Sequence, residues 1–169
     1  MRIASILSFV FAAMAVVACA ANRAEAPLAI PLGTSHVDTE QALSRAQFCR
    51  TPGQIDNSHE FFPRCDRTNA ETGDAWVTAV FEGDKLVELR RFERYTDDAQ
   101  AVARWNDMVA ARGKLSAPVD SLGRALPAGT RSSKAFRTDD GALVAVILLT
   151  PTPPENANIL ELVFRTPGQ

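Results

Sequence analysis

Beyond its first twenty residues the chain lacks any hydrophobic run long enough to cross a membrane as a helix. The most apolar later stretch, Ala142 to Leu149, is of strand size, whereas a spanning helix needs roughly 20 apolar residues. Histidine is scarce, with only His36 and His59 in 169 residues, and no G-x-S-x-G elbow occurs; a nucleophilic triad of the usual kinds therefore has no components to assemble. His59-Glu60 lacks the second histidine that a zinc-protease helix carries four positions on, because Pro63 stands there. Neither sign of charge dominates: 18 Lys and Arg face 20 Asp and Glu, for a net charge of −2. That balance leaves no nucleic-acid footprint and no polybasic membrane patch. With every specific catalytic signal missing, the sequence points to a non-enzymatic protein with no cofactor and no metal site. Paired-carboxylate hydrolysis stays open, since a chain this rich in Asp and Glu always offers candidate pairs.

What is present begins with an address. Arg2 precedes an apolar run from Ile3 to Val17, broken only by Ser5 and Ser8, and small residues surround Cys19. This is the charged, hydrophobic, small-residue order of a bacterial export signal. Two cleavages are compatible with it. Ala18-Cys19-Ala20 offers small residues at −1 and −3 for cutting before Ala21. Val16-Val17-Ala18-Cys19 resembles a lipobox, in which the cysteine becomes a lipidated N-terminus. Cysteine arithmetic favours the second: three cysteines in an exported chain leave one odd thiol, whereas a lipid on Cys19 leaves Cys49 and Cys65 as one disulfide. Ala20 is not aspartate, so the lipobox resemblance implies sorting to the outer membrane, with the domain facing the periplasm. The expected layout is a signal peptide over 1–18, a tether over 19–37 with a reach of roughly 20 Å, and a single domain over 38–169.

Along that domain, Asp38 and Gln41 form a capping-box-like pair ahead of Ala42, Leu43, Ala46 and Cys49, which predicts a helix ending at Thr51-Pro52-Gly53. Residues 54–74 have no period and read as a long loop pinned by Cys65. Trp76 to Phe81, a turn at Gly83-Asp84 and a run from Leu86 onward predict a hairpin, with the alternation slipping at Arg91-Phe92. Thr96 caps a second helix with Asp97 and Asp98 in its first turn and Val102, Trp105 and Val109 as its apolar stripe. A link over 114–129 leads to strands at Lys134 to Arg137, Leu143 to Leu149 and Ile159 to Arg165. The sum is an α+β domain, an antiparallel sheet of about five strands with two helices on one face, in the order α-β-β-α-β-β-β.

The segment "DNSHEFFPRC" is the candidate recognition element. It sets His59, Glu60, Phe61, Phe62 and Arg64 in a loop that a Cys49–Cys65 disulfide would close, displaying aromatic anchors at low entropic cost. The alternative role for both phenylalanines is to fold down as cover for the core. Arg90, Arg91 and Arg94, with Glu88 and Glu93 between them, read as a solvated strand face laced by ion pairs.

On its lipobox, its disulfide and its overall plan, the chain resembles small bacterial outer-membrane lipoproteins of the immunity and inhibitor type. The resemblance implies a periplasmic protein partner, an antibacterial effector or a cell-wall hydrolase, which the chain binds and neutralises. A structural lipoprotein supporting an outer-membrane assembly complex is the alternative. The small lipoprotein of the barrel-assembly machinery is similar in class, but this chain sets a hairpin between its helices and lacks that family's Leu-Gly-x-Pro helix end.

Overall fold

A computed structural model describes residues 26–50, 59–65, 75–153 and 156–166. Among them are two helices, α1 (His36–Arg45) and α2 (Asp98–Gly113), and seven strands: β1 (His59–Pro63), β2 (Ala75–Glu82), β3 (Lys85–Glu93), β4 (Ala117–Val119), β5 (Thr130–Arg137), β6 (Leu143–Leu149) and β7 (Ile159–Phe164). They form one sheet in the order β1-β2-β3-β7-β6-β5-β4, and every neighbouring pair is antiparallel. The expected sheet of about five strands in the order α-β-β-α-β-β-β is therefore wrong. The order is α-β-β-β-α-β-β-β-β, with β1 inside the expected long loop and β4 inside the expected link. Two meanders, β1-β2-β3 and β4-β5-β6-β7, meet edge to edge at β3 and β7, and α2 carries the chain from one to the other.

Local chemistry explains the element ends. Ser35 caps α1, its Oγ accepting from the Asp38 amide at 3.2 Å, so the capping pair is Ser35 with Asp38, three residues earlier than Asp38 with Gln41. Asp97 caps α2 by accepting from the amides of Ala99 at 2.7 Å and Gln100 at 3.2 Å. Gly83, at φ 61°, makes the tight β2–β3 turn. Pairing in that hairpin runs Val80 with Glu88 and then Phe81 with Leu86, so Val87 is the extra residue of a bulge. The alternation does not slip at Arg91-Phe92, where pairing continues without a break to Glu93.

Both helices cover the same face of the sheet. Leu43 of α1 and Ala101 and Met108 of α2 join Phe62, Val77, Ala79, Leu89, Val144, Val146, Ile159 and Val163 in the larger core. Among the described residues, no helix lies on the opposite face. Its centre, Leu143, Ala145, Ile147, Leu149, Leu160, Leu162 and Phe164, is closed by Leu122 from the segment after β4. Strands β6 and β7 are thus buried on both sides, as a continuously apolar run requires.

Residues 26–37 are not a tether. Leu28, Ile30 and Leu32 are buried in the helix-side core. Gly33 donates to the Leu86 carbonyl at 2.8 Å, Leu86 donates to that of Thr34 at 2.9 Å and His36 donates to that of Asp84 at 3.0 Å. Two buried arginines clamp this strap, Arg91 on the Ala26 carbonyl at 2.7 Å and Arg112 on the Leu28 carbonyl at 3.2 Å. An alternation of small and apolar residues interrupted by Pro27 and Pro31 conceals such an extended, packed segment from any helix or strand template. Residues 19–25 and the signal segment lie outside the described residues.

Candidate functional site

Cys49 and Cys65 form the disulfide, with Cα atoms 4.9 Å apart. Around it, Cys49 donates to the Pro63 carbonyl and Cys65 to the Gln47 carbonyl, both at 2.9 Å, and Phe48 bridges Arg64. The stapled element is thus the end of an edge strand rather than a free loop. A disulfide of this kind is compatible with a periplasmic or extracellular location. Cys19 lies outside the described residues.

Strand geometry then divides the five candidate recognition residues between two faces, because successive side chains of a strand point oppositely. Phe62 and Glu60 turn toward the helices. Phe62 is fully buried. Glu60 meets His36 Nε2 at 2.6 Å and Arg50 at 3.4 Å, tying β1 to the start of α1. Neither is displayed: of the two phenylalanines expected either to be displayed or to cover the core, the period-2 pleat makes Phe62 core cover. His59 and Phe61 turn to the helix-free face, where Phe61 is 40 % exposed. Arg64, half-buried, follows the strand and donates its amide to Ala75 O at 3.3 Å.

The helix-free face holds what residue-by-residue reading missed. Phe61 packs on Trp76 with ring centroids 6.5 Å apart, and Trp76 stacks on Phe92 at 5.2 Å and 13°. The Arg94 guanidinium lies over Trp76 at 5.3 Å. Three aromatic rings from three adjacent strands thereby make a row across β1, β2 and β3, and Trp76 and Phe92 are only half-buried. The signal lay in the register: Trp76 and Phe92 are direct cross-strand partners, a relation visible only once the Val87 bulge is placed.

Past Phe92 the row runs into a groove of about 270 Å³ between the sheet and Arg124, Pro127, Ala128, Thr152 and Ala157. Arg90 and Arg124 stand at this end of the face and share one carboxylate, Glu88. Arg124 Nη1 donates to Glu88 Oε2 at 2.9 Å, and Arg90 Nε donates to Glu88 Oε1.

The helix-side face carries a different set of charges. Glu93 contacts Arg91 at 2.6 Å and Arg104 at 2.8 Å, and accepts from the Tyr95 hydroxyl at 2.8 Å. Burial alone would raise its pKa, but the Arg91 charge and the Arg104 and Tyr95 contacts outweigh this and hold it at about 2. Burial and the Glu93 charge push the Tyr95 phenol above its ordinary value. Arg112 and Glu161 form a second buried pair at 2.6 Å. These residues belong to the packing between sheet, α2 and strap, so the expected solvated strand face is half wrong: Arg91 and Glu93 are buried, while Glu88 and Arg90 occupy the other side. Among the described residues, no group of three or more His, Cys, Asp or Glu side chains converges as metal ligands would. No family model, curated protein or solved structure matches the chain.

Proposed function

We propose that the chain is a non-enzymatic lipoprotein, anchored to the outer membrane by a lipid on Cys19, that binds and neutralises a protein in the periplasm. The partner class is a secreted antibacterial effector or a cell-wall hydrolase, as in the immunity and inhibitor lipoproteins. One observation carries the reading: the row Phe61–Trp76–Phe92 on the helix-free face, with Arg94 over its centre. Aromatic residues and arginine dominate the energetics of protein interfaces, the aromatic rings because they bury large areas while losing few rotamers and arginine because its planar fork presents several donors at once. Here all four side chains rise from paired strands, or from the residue directly after one, and the disulfide staples the edge strand that bears Phe61. Little conformational entropy is then left to lose on binding.

The test uses the oxidised domain from residue 22 as bait in envelope and secreted-effector lysates, beside the same domain carrying Phe61→Ala and Trp76→Ala. The reading predicts stoichiometric recovery of a hydrolase or toxin whose activity falls on addition of the domain. It also predicts loss of both recovery and inhibition with the double variant at a temperature where unfolding curves show that variant fully folded. Recovery of outer-membrane assembly components would replace it with the structural envelope role. Recovery of nothing would sink it.

A further inference from the structure

The groove beside Phe92 has the chemistry of a small-ligand site. Its floor is apolar, made by Phe92, Leu149, Leu160 and Leu162, and its charged residues are Arg90 and Arg124. At about 270 Å³ it approaches the small end of the range for ligand pockets and has room for roughly nine water-sized groups. Among the described residues, two guanidiniums share a single carboxylate, Glu88, so those three side chains together carry one positive charge. Each guanidinium has five N–H donors. Among the described residues, Arg90 and Arg124 each commit one of them to Glu88. Arg124 is further positioned by its place over the Phe164 ring, 4.7 Å from the centroid, so the cationic end is set before any ligand arrives.

We propose that this groove binds a carboxylate carried on an unbranched apolar chain of about eight carbons, the length that its room of roughly nine water-sized groups admits. The chain lies on the leucine floor, and the head group takes the free donors of Arg90 and Arg124, replicating what Glu88 already does from within the protein. Charge complementarity selects the anion, because an ammonium head would face two guanidiniums and a neutral alcohol would add to the apolar contact only a weaker, single-oxygen hydrogen bond in place of a charge-assisted bidentate pair. The site is distinct from the protein-binding row and does not depend on it; Phe92 is their one shared residue.

The experiment is a titration of the mature chain carrying Cys19→Ser, which leaves every described residue in place, with octanoate, octanol and acetate. It is followed by NMR on leucine methyl groups and arginine Nε–H signals. The expected result is saturable shifts of Leu149, Leu160 and Leu162 and of the Arg90 and Arg124 signals with octanoate, at least tenfold tighter than octanol or acetate. Arg124→Met, which keeps the stem and leaves Glu88 its Arg90 partner, should weaken octanoate at least tenfold. Ala128→Trp, an exposed position on the wall of the groove, should abolish the shifts while the melting temperature stays within a few degrees. Equal affinity for octanol and octanoate would overturn the role of the arginines. Shifts that survive Ala128→Trp, or no saturable shift at all, would overturn the site, and these outcomes are readable even if Arg124→Met fails to fold.

Discussion

Arg104 of α2 grips Glu93 of β3 at two points, Nε on Oε2 at 2.8 Å and Nη2 on Oε1 at 2.9 Å. A fork of this kind fixes both the distance and the roll of a helix over a sheet, because both N–H directions must be satisfied at once. Arg91 supplies a second cation to the same carboxylate. The helix-side interface is therefore held by a charged cluster as well as by Met108 and Ala101.

The first prediction is acid sensitivity with a defined window. Glu93 titrates at about 2 in the folded chain, against 4.5 for the unperturbed group. As pH falls below about 4.5 the unfolded chain takes up its proton first, so stability present above that pH is lost progressively as pH approaches 2. The loss from this residue is on the order of 3 kcal/mol, at about 1.4 kcal/mol per pH unit. Urea unfolding between pH 2 and 7 measures it. Glu93→Gln should be less stable at pH 7 by a similar amount and show a flatter profile in that window.

Tyr95 supplies the opposite limb. Its phenol is raised by burial and by the Glu93 charge, so above about pH 10 the unfolded chain loses its proton before the folded one does. Stability from this group is fully present below that pH and falls as pH rises past it. Tyr95→Phe should remove this alkaline slope and, by taking away a donor to the Glu93 carboxylate, lower stability at pH 7 by roughly 1.5–3 kcal/mol; a slope that persists would assign it to another group.

Arg112 couples α2, β7 and the strap. It donates to Glu161 at 2.6 Å and to Leu28 O at 3.2 Å, and Glu161 is 1 % exposed. Arg112→Ala leaves a buried carboxylate without its partner and should cost about 3–5 kcal/mol. Arg112→Met with Glu161→Gln removes both charges and should recover most of that loss. Hydrogen exchange gives the sharper readout: the hydrogen-bonded amides of Gly33 and Thr34 should lose protection in Arg112→Ala before those of β6 do.

How much of this was legible depended on what each residue had to satisfy. Leu143 to Leu149 announced a central strand because a doubly buried strand has no polar face to show, and Gly83-Asp84 announced its hairpin through turn chemistry. Phe61-Phe62 hid a strand, since two adjacent phenylalanines erase the alternation that the pleat in fact imposes on them. Arg91 and Glu93 looked like solvated charges, and nothing local says that each has the other, Arg104 and Tyr95 as company in the core. Ala117–Val119 is too short, and its Pro118 too discouraging, for any strand template. The aromatic row and the groove escaped notice for a related reason: their members come from strands paired through a bulge and across a crossover, and only the register brings them together.

That same register separates the two neighbouring phenylalanines in their consequences. Phe62 is fully buried beneath the helices, so Phe62→Ala should cost about 3–5 kcal/mol through lost transfer energy and the cavity left behind. Phe61 is 40 % exposed and belongs to neither buried cluster, so Phe61→Ala should cost less than about 1 kcal/mol. If the exposed row binds the partner, the order reverses for affinity: Phe61→Ala weakens binding by tenfold or more, whereas Phe62→Ala acts only through the unfolded fraction. The disulfide links the two effects. Replacing Cys49 and Cys65 with alanine opens the loop that staples β1 and should lower stability by roughly 3 kcal/mol. At a temperature where that variant is still folded, it should also weaken binding, because an edge strand with a loosened end holds Phe61 less firmly against Trp76. Isothermal titration of the three variants at one temperature, with unfolding curves recorded in parallel, separates these contributions. Equal affinity loss from Phe61→Ala and Phe62→Ala in fully folded protein would show that the partner does not read the exposed face.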